Sequence, residues 1–375
     1  MAYIEYKQRG KKRLWSFSIR ERSKSLLHKS GFKTKREAKI EAEKVLHKIN
    51  TGSVLRFDMT LPELYQEWLD LKIFPSTRSE VTKKKYLMRK NVIKRLFGNK
   101  PVSQIKPSEY QRIMNKYGQT VSRNFLGRLN SGIRASIQMA IADKVVIEDF
   151  TAYVDLFSTK SGQKVEEKYL HTESDYQKVL VYLKNKFDYQ KSIVPYVIYF
   201  LFKTGMRFSE LIALTWDDVD EVGEQVKTYR RYNTAIHKFT PPKNNTSIRL
   251  VPVTSDMLSL LKTLKMLQLK TNKELNIDNK NNLIFQHFGY AYDVPDIGTV
   301  NKAIKVMLME LEIFPIISTK GARHTYGSYL WHNNIDLGVI AKILGHKDIS
   351  MLVEVYGHTL EEKISEEFMA VKSLL

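Results

Sequence analysis

From Leu14 to Arg20 the chain alternates Trp15, Phe17 and Ile19 with Ser16, Ser18 and Arg20, the period-2 pattern of a half-buried strand. Gly10 and its basic neighbours supply a turn before it. The period then lengthens: Ala38, Ala42, Val45, Leu46 and Ile49 fall on one helical face behind Thr34-Lys-Arg-Glu37, a capping box. Residues 3–49 are therefore expected to form a small sheet packed on one helix. A second box, Thr60-Leu-Pro-Glu63, opens a helix expected to turn Leu64, Trp68 and Leu71 inward and Lys72 outward. Helical patterns follow over Thr82–Phe97, Ser108–Lys116 and Ser122–Ile141, separated by turns at Gly98-Asn-Lys-Pro101 and Lys106-Pro107.

The longest apolar run, Ile193 to Phe202, falls short of the roughly 20 residues a membrane helix needs, and reads as a buried core helix. Val226–Tyr232 and Ile248–Val253 read as strands flanking the loop Thr240-Pro-Pro-Lys-Asn-Asn-Thr246, and Thr254 opens a leucine-rich helix. Between Glu361 and Leu375, Ile364, Phe368, Val371 and Leu374/Leu375 form a helical stripe. Residues 51–57 and the polar, apolar-poor 158–168 read as linkers. The expected class is α+β, mainly α, in three domains. These are a sheet-plus-helix domain (1–52), an all-helical domain (58–160) and a mainly helical domain with a small antiparallel sheet (169–375).

Charge separates these domains. The 375 residues carry a formal net charge of +21. Residues 1–52 hold a net of +10, residues 53–160 a net of +9, and residues 161–375 only +2. So strong a basic excess implies a polyanionic partner, nucleic acid first. Lys11, Lys12, Arg13, Lys33 and Lys35 in the first domain, and Lys83, Lys84, Lys85, Arg89 and Lys90 in the second, are the candidate phosphate contacts. There is no cysteine, which excludes disulfides, thiol nucleophiles and cysteine-based zinc sites. The amino-terminal residues lack the apolar core of a signal peptide, so a soluble, cytoplasmic protein without a membrane partner is expected.

Candidate chemistry lies in the near-neutral last domain. Arg207 in Thr204-Gly-Met-Arg-Phe-Ser-Glu210 stands three residues before Glu210, a spacing at which a carboxylate can hold a guanidinium. Lys320-Gly-Ala-Arg323-His324 opens another helix with Lys320 and Arg323 on one face. Leu344-Gly-His346 ends a short helix, and Tyr356 follows ten residues later. The spacing of His324, His332, His346 and His358 fits no standard zinc pattern, so no metal is expected, and no other cofactor.

In this order the motifs resemble those of the tyrosine recombinase, or phage-type integrase, family. The likeness runs through residues 170–375. The layout of the two upstream domains resembles the family's arm-site and core-site DNA-binding domains. The resemblance implies Tyr356 as nucleophile, Arg207 and Arg323 as the clamp on the scissile phosphate, Lys243 as the hairpin lysine, His346 as the Leu-Gly-His histidine and Glu210 as the acidic partner. Lys320 stands where most members carry histidine, and an ammonium group donates hydrogen bonds but accepts none. Also implied are double-stranded DNA with core-type and arm-type attachment sites, a homotetramer on that DNA, an excisionase and a host DNA-bending protein. The expected reaction integrates and excises a mobile element through a 3′-phosphotyrosyl intermediate without metal or ATP. A catalytically inactive DNA-binding regulator and a type IB-like topoisomerase are the alternatives. For the stripe at Glu361–Leu375, packing on its own domain and docking on a neighbouring subunit both stay open.

Overall fold

The computed structural model describes residues 3–9, 13–21, 24–50, 59–143, 145, 148–160, 162, 164, 166–350, 352, 353 and 372. The chain divides into two compact units, residues 1–162 and 163–375.

The first unit opens with an antiparallel meander, β1 (Tyr3–Arg9), β2 (Leu14–Glu21) and β3 (Lys24–Phe32), covered by α1 (Lys35–Asn50). Register pairs Tyr6 with Phe17, and Phe17 with Lys29. Phe17 and Ile19 of β2 are buried with Leu27, Ala38, Ala42 and Val45, so the alternation in β2 and the helical spacing in α1 meet in one core. The Thr34 box forms: the Glu37 carboxylate accepts from the Thr34 amide (3.4 Å), and the Glu37 amide donates to Thr34 Oγ1 (3.1 Å).

A second, separate core holds four helices: α2 (Leu61–Trp68), α3 (Glu80–Phe97), α4 (Pro107–Gly118) and α5 (Arg123–Ala142). The Glu63 carboxylate accepts from the Thr60 amide at 2.8 Å, which holds its carboxyl below the ordinary range. Leu64 is buried and Trp68 half-buried, but Leu71 is exposed, against expectation. After Trp68 the helix widens into a π turn, Leu69–Ile73. The wider turn rotates the face, so Leu69 and Ile73 enter the core in place of Leu71.

The second unit is built around α7 (Val194–Thr204), which follows α6 (Glu173–Lys184). Nine of the eleven α7 residues are buried, as expected for a helix that is apolar on every side. After the short α8 (Phe208–Leu211) come β4 (Val219–Asp220), β5 (Gln225–Thr228), β6 (Arg231–Asn233), β7 (Lys238–Thr240) and β8 (Arg249–Pro252). They form a β4-β5-β8 sheet and a separate β6-β7 hairpin, all antiparallel. The single strand expected over Val226–Tyr232 is thus two. Arg230 marks the break: its guanidinium donates to the Ala213 carbonyl, Thr215 Oγ1 and the Asp218 carboxylate, drawing the chain out of the first sheet. Then come α9 (Ser255–Leu275), α10 (Ile297–Glu310), α11 (Thr319–His332) and α12 (Leu337–Leu344). α6, α10 and α11 pack on α7. Among the described residues, no helix is long and apolar enough to cross a membrane.

Candidate active site

α7 ends at Gly205 with φ +59°, a left-handed cap. A Cβ there would lie 2.4 Å from the Tyr326 ring and 2.6 Å from Leu344, so both backbone and space require glycine. The reversal buries Met206 and leaves Arg207 as the first flanking residue of α8. Arg207 Nη1 donates to Glu210 Oε1 at 2.7 Å, the pair that the three-residue spacing predicts. It is no surface ion pair: the Glu210 side chain is 5% exposed, while that of Arg207 keeps 32%.

Two further elements converge on this turn. Arg323, buried on α11, donates from Nη1 to the Gly205 carbonyl at 2.8 Å and from Nη2 to the Leu344 carbonyl. α12 ends at Gly345 with φ +66°, where a Cβ would meet the Thr246 carbonyl at 2.6 Å and Arg249 at 3.0 Å. The last carbonyls of a helix have no partner within it. Here three successive ones each receive a guanidinium. The Ile343 carbonyl accepts from Arg249 Nε at 2.5 Å, Leu344 from Arg323, and Gly345 from Arg207 Nη2 at 3.2 Å. The cations also complement the negative end of the helix dipole. His346 follows immediately, its amide bonded to the Ala341 carbonyl at 2.9 Å. The end of α12 therefore fixes Arg207, Arg323 and His346 around one point.

The electrostatics follow from this crowding of cations. Burial opposes ionisation of Glu210, yet Arg249 and Arg207 outweigh it and hold the carboxyl below its usual range. His346 is pushed down from 6.5 to about 4, first by burial and then by Arg323 and Arg207. His324, one turn after Lys320 on α11, is likewise lowered to about 4 by burial, Lys320 and Arg323. Both rings are neutral near pH 7, so each keeps one N–H donor and one acceptor nitrogen. A phosphate bound here would meet guanidiniums already oriented by the protein.

The remaining candidates are less tightly placed. Lys243 is exposed in the loop between β7 and β8. That loop reaches the cluster through Thr246, whose hydroxyl donates to the Gly345 carbonyl at 3.3 Å. Lys320 is exposed at the start of α11. Tyr356 and the Glu361–Leu375 stripe lie outside the described residues, apart from an exposed Lys372, as do Lys11 and Lys12. Arg13, Lys33, Lys35, Lys84 and Lys85 are exposed. Lys83 pairs with Glu80 at 3.0 Å, Arg89 lies over the Tyr86 ring, and Lys90 donates to Gln66 Oε1 at 2.8 Å. Sequence reasoning missed Arg249. Its signal is a cation in phase with buried Val251 on β8, where an inward charge needs a partner.

The profile described as Phage integrase family matches residues 170–363, more than half of the chain. The chain belongs to the phage integrase family. It is a tyrosine recombinase, an enzyme of DNA strand exchange in site-specific recombination. A profile for the family's N-terminal SAM-like domain matches residues 60–117. A tyrosine recombinase XerC-like protein of Caldanaerobacter subterraneus subsp. tengcongensis is 26% identical over 370 residues, covering 92% of this chain and 91% of its own. The transposase from transposon Tn916 of Enterococcus faecalis is 25% identical over 345 residues, covering 88% and 82%. The Tn1549 transposon integrase, solved in complex with transposon right end DNA, aligns with a TM-score of 0.65 at 18% identity, covering 84% of this chain and 100% of its own. A lambda integrase tetramer bound to a Holliday junction aligns at 0.57 with 15% identity, covering 91% and 92%. At these identities the solved structures establish a shared fold: mainly helical, with small antiparallel sheets.

Proposed function

We propose that this recombinase cleaves DNA with Tyr356 at the phosphate site formed by Arg207, Arg323 and His346. The observation that carries the reading is the anchoring of both arginines on carbonyls at the end of α12, one and two residues before His346. A phosphodiester under attack gains charge on its non-bridging oxygens, and two fixed guanidiniums with an imidazole N–H suit that charge. The Tyr356 phenol gives its proton to water as its oxygen attacks phosphorus. The bond from phosphorus to the 5′-oxygen breaks, and Lys243 supplies the proton that this oxygen takes up. The product is a 3′-phosphotyrosine and a free 5′-hydroxyl; attack by a hydroxyl from a partner strand reverses the step without ATP. Glu210 orients Arg207. Lys320 contributes a cation and a donor beside neutral His324.

The basic first 160 residues grip, with residues 1–52 taking arm-type sites and 58–160 core-type sites of double-stranded DNA. The exposed Lys33, Lys35, Lys84 and Lys85 are available for phosphates. The working assembly is a homotetramer on DNA in the cytoplasm. An excisionase and a host DNA-bending protein set its direction, and the substrate is a mobile element that it integrates and excises. The experiment is recombination between a plasmid and a linear duplex, each carrying one attachment core from the repeats that bound the encoding element. Recombinant joints from the wild type and none from Tyr356→Phe support the reading. Plasmid relaxation without joints would make the protein a topoisomerase, and bound DNA without either product would make it a regulator.

A further inference from the structure

Arg249 is the most deeply placed cation of the cluster after Arg323, and it touches three parts of it. Its side chain is 7% exposed. Nη2 donates to Glu210 Oε2 at 3.1 Å, Nε to the Ile343 carbonyl at 2.5 Å, and Nη1 to the Ser247 carbonyl at 3.3 Å. The other Glu210 oxygen holds Arg207. A chain of charge-assisted bonds thus runs from β8 through Glu210 to Arg207, with a branch to the end of α12. Buried charges are costly unless paired, so every link depends on the next.

We infer that Arg249 is a positioning residue for strand cleavage: it fixes the Glu210 carboxylate that aims Arg207, and it pins the turn that carries His346. The inference rests on the phosphate-site reading above. Arg249 is screened from solvent and its donors go to Glu210 and to backbone carbonyls, so it acts through other residues and does not touch DNA. Lysine cannot replace it fully, because one ammonium cannot span Glu210 and the Ile343 carbonyl in the same fork.

The test uses the full-length protein and a nicked core-site duplex that traps the covalent adduct. Dissociation constant, adduct amplitude and single-turnover cleavage rate are measured across pH. A displacement of catalytic groups by about an ångström costs roughly 100-fold in rate, the loss expected for Arg249→Met. DNA affinity and adduct amplitude should stay at wild-type values, with part of the rate regained in Arg249→Lys. The acid limb of the pH profile should move up. Glu210 is faced by Arg207 from its own helix start, Arg249 from β8 and Arg323 from α11, with neutral His346 beyond the arginines. Losing one of those cations leaves the burial of the carboxyl less opposed. A wild-type rate in either variant overturns the inference. So does a loss of amplitude alone with the rate unchanged, the mark of a fraction that fails to fold. Should Arg249→Met not fold, the rate of Arg249→Lys decides by the same criterion. Absence of an adduct from the wild type would instead refute the phosphate-site reading.

Discussion

The cations of this recombinase are of two kinds. In the helical part of the first unit, Lys84 and Lys85 stand exposed on α3, and in the meander part Lys33 and Lys35 flank the start of α1. In the second unit Arg207, Arg249 and Arg323 are drawn inward and each bonded to a carbonyl at the end of α12. The first kind is numerous and solvated, with net charge +19 over residues 1–160. Solvated charge supplies affinity, long-range steering and salt dependence. The second kind is few, in a region of net charge only +2, and its charge is oriented before any ligand arrives. Desolvated, preorganised charge stabilises a transition state. On the proposed reading, net charge locates the grip of this protein and says nothing of where its chemistry is.

Substitutions at the two kinds of cation should separate binding from cleavage. The largest effect is expected from Arg323→Ala: a loss of about 1000-fold in single-turnover cleavage with DNA affinity nearly unchanged, since the group acts on transition-state charge. Normal cleavage with lost binding would remove Arg323 from the site. Gly345→Ala comes next. A Cβ would strain the left-handed backbone and collide with the Thr246 carbonyl. A stability loss of about 1–3 kcal/mol in thermal or urea unfolding should accompany slower cleavage. Replacing both Lys84 and Lys85 by alanine should leave the cleavage rate of bound enzyme unchanged. It should weaken binding and reduce the slope of log affinity against log salt by about 1 for each phosphate that is no longer neutralised. An unchanged salt slope would take these lysines out of the interface. Deleting residues 1–52 should spare cleavage of a core site and cripple full integration.

A further effect is on stability against pH. His324 and His346 titrate near 4 in the fold, against about 6.5 when unfolded. Between those pH values the unfolded chain binds more protons, so stability rises with pH across that window and falls as pH drops towards 4. Urea unfolding across the window should show the slope, reduced in His346→Asn; an equal slope in that variant would contradict the lowered value at His346.

Much of this was legible in the sequence, because local physics dictated it. The Thr34 and Thr60 boxes, the alternation in β2 and the apolar length of α7 need no partner to be recognised. Arg207 and Glu210 could be paired from spacing, since three residues along a helix bring side chains together. The helical pattern puts Leu71 inward because a π turn, which shifts the phase of the helix, has no clear sequence signal. The pattern over Val226–Tyr232 predicts one strand because its break is made by the contacts of Arg230 with Ala213, Thr215 and Asp218, distant in sequence. Arg249 went unread for the same reason. Its partners, Glu210 and Ile343, lie 39 and 94 residues away, and only the fold brings them together. Arg207, Glu210, Arg323 and His346 are thus legible one by one, and the helix end that brings them together is not.

The most direct measurement is to trap the covalent complex on a nicked core-site duplex, digest it, and sequence the nucleotide-bearing peptide by mass spectrometry. The phosphate should be found on Tyr356, with no adduct from Tyr356→Phe and only traces from Arg323→Ala. An adduct on any other residue, or one that survives Tyr356→Phe, would contradict the assignment of nucleophile and phosphate site together.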